Sequence, residues 1–454
     1  MKKIKLLFLI PVLIWIMVFC ESGFSQWTIS GSIPLTGTLW PSVSVVNANV
    51  AWIAGGVSTP MVFRTINGGV NWTTIPVSGL PVKALMCIWG IDSLTAYVGD
   101  GGDAAGTTGG DASISKTTNG GLNWTTIFHT GGTAGFFNGL IFSRKTPSFG
   151  FAESDPQGGA GTAYYVQKTT NGGANWTLTN PPGLVGEASA QNSLIAIDNQ
   201  FYGYGLNATA RAYLTSNGGT NWYTGTLGIT GTFTAALAFN DNKLNGIAAT
   251  STSHPNIART TNGGTTWSSV SVGGSGTSTL ASMKWIQNSN TCYYVATMTS
   301  AAGIYRSTNS GLNWSVMTAP AGQTGYSHFD FALTGNTVTG FAIGASGIVL
   351  KLSETVTLTP SEGNIIPAEY KLAQNYPNPF NPVTKIGYSI PKSGYVTISV
   401  HDILGKEVAV IVNEYKNAGS FTVEFDAVKL TSGVYFYKIM SGNFSDTKKM
   451  MVLK

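Results

Sequence analysis

One phrase of eight residues recurs six times along the chain and limits what the chain can fold into. It reads TINGGVNW ending at Trp72, TTNGGLNW at Trp124, TTNGGANW at Trp176, TSNGGTNW at Trp222, TTNGGTTW at Trp267 and STNSGLNW at Trp314. The tryptophans lie 45 to 52 residues apart, the spacing at which one four-stranded propeller blade follows another. Thr and Asn hydrogen-bond nearby amides and set a turn, the glycine pair supplies positive φ without a Cβ penalty, and Trp opens a strand with a large apolar face. The phrase predicts a clip between two strands.

Between clips the pattern is that of strands, as in WPSVSVV, VAWIAGG and MVFRT, with β-branched and aromatic residues broken by Gly, Asn and Ser. Six blades are expected at about 36–77, 81–129, 134–180, 186–227, 232–272 and 278–318. SHFDFAL, TGFAIG and IVLKLSE then supply three strands of a seventh and no fourth. The missing strand is expected at the other end, where Gln26-Trp27-Thr28-Ile29-Ser30 is close in type to Asn71-Trp72-Thr73-Thr74-Ile75. Pairing it with the last three strands closes the ring and leaves no open sheet edge between first and last. The expected fold class is all-β: a seven-bladed β-propeller over 26–353 closed by the N-terminal strand, then a small Ig-like β-sandwich.

Lys2, Lys3 and Lys5 precede an apolar run from Leu6 to Phe19, with small residues before Ser25, which reads as a secretory signal peptide over 1–25. The run is short of the roughly 20 residues that span a bilayer, and no later segment approaches that length, so the mature chain is expected to have no transmembrane segment. Cys87 and Cys292 then remain, in different blades, and are read as buried thiols and not as a disulfide framework. Only 10% of residues are charged and the charges are spread along the chain, so no basic stripe proposes nucleic acid.

If the clips follow third strands, the loops between second and third strands open on the opposite rim, where propellers commonly bind. Two of these are long: DGGDAAGTTGGD from Asp100 to Asp111, and ESDPQGGAGT from Glu153 to Thr162. They are expected to set Asp100, Asp103, Asp111, Glu153 and Asp155 along one wall as a solvated acidic rim. Calcium at these carboxylates is the alternative, although their spacing is not that of an EF-hand; no other cofactor is expected. Trp40, Trp89, Trp285 and the Tyr164-Tyr165 pair are read as blade packing, with stacking on sugar faces as the alternative.

The phrase resembles the Asp-box, or BNR, repeat, with Asn67, Asn119, Asn171, Asn217, Asn262 and Asn309 standing where that family usually has Asp, each followed by Trp72, Trp124, Trp176, Trp222, Trp267 or Trp314. The resemblance implies a structural clip between third and fourth strands. Asp-box propellers include sialidases, which grip a sugar carboxylate with three arginines. This chain has five arginines, and Arg64, Arg259 and Arg306 stand before the clip, where sister blades have Lys116 and Lys168. Only Arg144 and Arg211 fall outside that frame, so the triad is not assembled. Glu153 and Glu187, with Asp155 and Asp330 as partners, supply the carboxylates a glycosidase needs, but His129, His254 and His328 show no metal-ligand spacing. Over about 26–353 the chain is similar to single-domain propellers of the photosystem II stability/assembly factor-like group, in TTNGGxNW and in Ser154-Asp155-Pro156. That implies a binding platform without chemistry of its own.

After a linker over 354–367 the composition shifts, and alternating strands with Pro- and Gly-marked turns imply a β-sandwich over 368–454. The prolines of its opening are expected to keep that entry extended. The order of phrases resembles the type A C-terminal sorting domain of the type IX (Por) secretion system. Tyr376, Pro377, Asn378 and Pro379 match its opening, Asp402 and Gly405 its central turn, Gly433 and Tyr435 its late strand, and Lys448–Lys454 its basic end, with His401 for a frequent Tyr. The resemblance implies Sec export, passage through the outer membrane of a Gram-negative bacterium, and a secreted or surface-attached product whose partner in transit is the type IX machinery. The expectation is a non-catalytic platform for a surface protein or glycan. The alternatives are a secreted glycoside hydrolase on Glu153 and Asp155 and a calcium-stabilised adhesin.

Overall fold

The structure is a computed structural model. It describes the chain from Trp27 to Lys454 apart from 36–40, 57–58, 78, 82, 105–108, 156–164, 180–192, 207–208, 232, 252–254, 274–277, 299–302, 318–319, 321–327, 344–346, 359–368, 392–393 and 417–418. Trp40, Tyr164, Glu187 and His254, together with the whole leader, lie outside the described residues. Two compact units divide the chain at residue 359/360.

The first unit is a ring of seven four-stranded antiparallel sheets. Its innermost strands are Ser42–Val45, Leu85–Gly90, Phe137–Phe142, Leu194–Ala196, Thr234–Phe239, Ser278–Trp285 and His328–Thr334, each packing against the next around the axis. The strand Trp27–Ser32 pairs antiparallel with Ile348–Thr355, Trp27 facing Leu352 and Ser32 facing Ile348 across a bulge between Ile29 and Gly31. The N-terminal strand thus completes the seventh sheet. Trp27 is fully buried and sets its ring edge-on to Phe329, 5.8 Å between centroids.

Each clip joins a third strand to a fourth, and all six are built alike. In blade three Thr169 Oγ1 donates to Asn171 Oδ1 at 2.9 Å and accepts from the Gly173 amide at 2.9 Å, and Asn171 Oδ1 accepts from the Asn175 amide at 2.9 Å. Thr65, Thr117, Thr215, Thr260 and Ser307 repeat this with their own asparagines. Both bonds to the asparagine end on its Oδ1, an atom a carboxylate also offers, which explains why Asn serves where an Asp-type clip is expected.

The clips are also where blades meet. The carbonyl of the first clip glycine, or of Ser310 in its place, accepts a side-chain donor from the blade before. Tyr97 Oη reaches Gly172, Lys168 Nζ reaches Gly218 at 3.0 Å, Tyr223 Oη reaches Gly263 at 2.8 Å and Arg259 Nε reaches Ser310 at 2.6 Å. Lys351 Nζ of the seventh blade reaches Gly68 of the first at 2.7 Å, so the closing interface carries the same stitch. Arg64 docks one turn away, on the Ser93 carbonyl at 2.6 Å, and Arg306 pairs with Glu354 at 3.0 Å. The cations before the clips are therefore scaffold. In blade three the second glycine is held by the same side chain: at Gly173, with φ of +81°, a Cβ would lie 2.8 Å from the Tyr97 ring.

The second unit is a sandwich. Lys371–Leu372, Val383–Ile390 and Gly419–Asp426 form one sheet, and Glu407–Lys416, Gly394–His401, Gly433–Ser441 and Phe444–Val452 lie in that order in the other. Alternate residues turn inward, and Ile386, Val396, Ile398, Val400, Tyr437, Ile439, Met450 and Val452 form its core. No helix among the described residues is long and apolar enough to cross a membrane.

Two predictions follow from the ring. Trp27→Ala is expected to lower the stability of the propeller transition in urea by about 3–5 kcal/mol, while Ile29→Ala, two residues on and half exposed, stays within about 0.5 kcal/mol; equal losses would mean that the strand does not close the ring. Thr169→Val, which leaves the Gly173 amide without its acceptor, is expected to destabilise by about 1–3 kcal/mol, with Asn171→Asp near neutral in the same assay.

Candidate functional site

The acidic residues expected to line a rim are, in the structure, largely the folders of their own loops. Asp100 is buried; its Oδ1 accepts from the amides of Gly102 at 2.9 Å and Ser113 at 3.2 Å, and its Oδ2 accepts from the Ser113 hydroxyl. Burial raises its pKa, opposed by the Ser113 bond and by Lys83 nearby. The Asp103 carbonyl accepts from the Ala84 amide at 2.9 Å. Asp111 is half exposed, 3.2 Å from His129 Nδ1, and caps the Gly131 amide at 2.8 Å. Asp155 accepts from Asn138 Nδ2 at 2.6 Å, and burial raises its pKa.

Glu153 is fully buried inside the strand Gly150–Ser154, flanked by Gly139 and Val166 of the neighbouring strands. It does not stand on the rim. The physical reason is position: Glu153 falls within the ladder, one residue short of where the strand ends, and the loop begins only after Ser154. Among the described residues no group of three or more His, Cys, Asp or Glu comes together as metal ligands. Trp89 and Trp285 are buried, the latter donating to the Ser289 carbonyl at 2.9 Å, and both thiols, Cys87 and Cys292, are buried and free.

What the fold does assemble is an ionic cluster on the propeller axis. Asp330, buried on the innermost strand of blade seven, accepts from Arg144 Nη2 at 2.8 Å and from the Val45 amide at 2.7 Å, and Lys284 Nζ stands 3.7 Å from its other oxygen. These groups come from blades seven, three, one and six, so Arg144 reaches across the channel. Its guanidinium lies 5.0 Å from the centroid of the Trp89 ring of blade two. His328, two residues before Asp330, is buried in the same pocket, whose lining includes Ser42, Cys87, Trp89 and Lys284. Burial, reinforced by the Lys284 charge, lowers the imidazole pKa to about 3. Burial likewise lowers the Lys284 pKa, against the pull of Asp330.

Lys284, Asp330 and a neutral His328 thus line one pocket, and Arg144 reaches its carboxylate. Lys284 is the penultimate residue of its strand and Arg144 follows the end of its own, so both lie toward the rim that carries the clips and not the rim of the long acidic loops. Arg144 has a sequence signal, as one of two arginines outside the clip frame. Lys284 has none: each inner strand offers a different residue at its inward positions.

In the tail, the opening is folded and not extended. Asn375 is buried, its side chain donating to the Pro377 carbonyl at 3.1 Å and to Thr384 Oγ1 at 3.0 Å, and Asn378 Oδ1 accepts from the Met451 amide at 2.9 Å. These side-chain anchors bend Tyr376-Pro377-Asn378-Pro379 across the last strand and explain the departure from an extended lead-in. Tyr376 stands exposed. Asp402 Oδ1 accepts from the amides of Leu404 at 2.9 Å and Lys406 at 3.0 Å, Gly405 takes φ of +83°, Gly433 opens the late strand and Tyr435 Oη donates to the Thr431 carbonyl at 3.1 Å.

Residues 374–453 match the secretion system C-terminal sorting domain, Por_Secre_tail. No curated protein sequence matches the chain. Among solved structures the chain is similar to YCF48 bound to D1 peptide, with 15% identity, 74% of this chain and 98% of that one covered, and a TM-score of 0.53. It is similar to YCF48 from Cyanidioschyzon merolae, with 16% identity, 72% and 98% covered, and a TM-score of 0.50. An ancestral GH74 enzyme overlaps at 12% identity, 93% of this chain and 63% of that one, with a TM-score of 0.44. At these identities the likeness is one of fold. The chain is a seven-bladed β-propeller that carries a secretion system C-terminal sorting domain at 374–453. That tail directs it to type IX secretion, and so to the outer surface or the medium.

The buried imidazole sets a pH dependence. The folded His328 pKa lies near 3 against an unfolded 6.5, so the unfolded chain binds a proton that the folded chain does not. The contribution is therefore complete above about 6.5 and is lost as pH falls from there toward 3. The melting temperature of the propeller is expected to fall between pH 7 and pH 4.5, and to fall less in His328→Gln; parallel falls would place His328 in contact with water.

Proposed function

We propose that the propeller is a non-catalytic recognition module that holds an acidic group of a protein or glycan partner at its axial mouth. A leader over 1–25 takes it through Sec in a Gram-negative host, and the sorting tail then delivers it to the cell surface or the medium. The observation that carries the reading is the charge balance of the axial pocket. Arg144 and Lys284 both turn to the carboxylate of Asp330, and the adjacent His328 is held neutral, so the cluster sets two basic side chains against one acidic one where water is partly excluded. An anionic group is the natural complement to such a pocket.

Two further observations support it. A propeller of this fold has been captured with a peptide, the D1 peptide on YCF48. The burial of Glu153 also favours a binding role over hydrolysis, as does the engagement of both Asp330 oxygens by the cluster.

Arrays of acidic peptides and of glycans, incubated with the full chain and followed for released reducing ends, test the proposal. Binding is expected without release, and Lys284→Met is expected to weaken it about tenfold, the loss that goes with one charged hydrogen bond. Release of reducing ends that stops in Glu153→Gln would establish the hydrolase in its place. Binding that is indifferent to Lys284→Met would move the site off the axis, and binding abolished by a chelator would make calcium part of it.

A further inference from the structure

A sandwich sheet with one face in the core has its other face in water, and outward residues there are ordinarily polar. The four-stranded sheet of the sorting domain departs from that rule. On Gly433–Ser441 the inward residues are Tyr435, Tyr437, Ile439 and Ser441, which leaves Phe436 and Met440 pointing outward. On the neighbouring strands the register sets Phe436 opposite His401 and Met440 opposite Thr397, with Val410 opposite Ser399. Phe436, Met440 and Val410 are all exposed. Packing within the domain gives no reason for these three to be apolar.

At the end of the same sheet a turn carries two more. Ile403 is 72% and Leu404 88% exposed, the latter the most exposed large hydrophobic residue among those described. The turn that bears them is held in shape. Asp402 Oδ1 accepts from the amides of Leu404 and Lys406, the Asp402 amide donates to the Lys406 carbonyl at 3.0 Å, and His401 Nδ1 lies 3.3 Å from the Gly405 carbonyl. Two aliphatic side chains fixed in water on a rigid tip, next to an apolar sheet face, lose solubility with no gain in folding. Such a surface marks a contact with another molecule. Three lysines, Lys406, Lys438 and Lys449, fringe it against two acids, Glu407 and the turn's own Asp402, all at the turn or at outward positions of the sheet.

We propose that this surface, the Ile403-Leu404 tip together with Phe436, Met440 and Val410, is where the type IX secretion machinery grips the chain, through an apolar groove with an acidic fringe. The choice of partner rests on the domain that bears the surface, since residues 374–453 are the sorting domain and the machinery is the partner that domain implies. The apolar tip supplies the contact and the lysine fringe orients it. The folded opening at Tyr376–Pro379 and the core of the sandwich position the surface and do not themselves form it.

The test is export of the full chain in a bacterium that has the type IX machinery, with the propeller measured in periplasm, cell surface and medium. The Ile403→Ser/Leu404→Ser double variant is expected to lower the exported fraction at least fivefold with retention in the periplasm, and Phe436→Ser/Met440→Ser to do the same. Ile403→Val/Leu404→Met, which keeps the tip apolar, is expected to export normally. Lys406→Glu/Lys438→Glu is expected to lower export severalfold without touching an apolar group. A melting transition of the sandwich unchanged in each purified variant separates lost recognition from lost folding. Wild-type export of both Ser variants would overturn the proposal. A chain ended at Ser353 that is itself exported would overturn it too, and would show that the tail is not the sorting signal.

Discussion

Five of the seven blade interfaces rest on one repeated contact, a carbonyl of the clip accepting a side chain from the blade before it. A propeller blade is a small twisted sheet with two faces to bury, and nothing inside a single blade fixes its angle to the next. The bonds from Tyr97 to Gly172, Lys168 to Gly218, Tyr223 to Gly263 and Arg259 to Ser310 fix that angle at successive interfaces. Lys351 to Gly68 then makes the closing interface like these four, while Arg64 on the Ser93 carbonyl and Arg306 on Glu354 serve the other two. The clip glycines are part of the same device, because the second of them, at Gly69, Gly121, Gly173, Gly264 and Gly311, lies against the preceding blade with no room for a side chain.

This gives the short phrase two duties. Within a blade its Thr and Asn replace ladder bonds that a tight turn cannot make, and between blades its carbonyl and its bare Cα receive the neighbour. Either duty alone would tolerate more variation in sequence. Their superposition explains why Ser310 is the one residue to stand in a first-glycine place, and it does so with φ of +60°, the left-handed value its sister glycines adopt.

The ring then creates what no blade contains. Each inner strand carries inward residues of its own, and closure brings Asp330, Arg144, Lys284 and His328 to one point on the axis. The cluster ties blade seven to blades one, three and six, so it braces the channel. The tail is an independent unit whose outward apolar face and tip have no counterpart in its own core.

Which parts of this were legible beforehand follows from how local each interaction is. The clips, the seven blades, the closing role of the strand at Trp27 and the sorting domain were readable in the sequence, because they depend on residues within a few positions of one another or on a pattern that repeats. The acidic loops were readable as loops, but two of the carboxylates were misplaced on their rim: Asp100 turns back to Ser113, and Glu153 sits inside a ladder whose end the sequence does not mark. The axial cluster was beyond reach for a plain reason. Arg144 and Asp330 are 186 residues apart and in blades that are not neighbours, so only closure of the ring decides that they meet. Sequence by itself determined the repeating unit and the address of this protein; the tertiary structure decided where its charge converges.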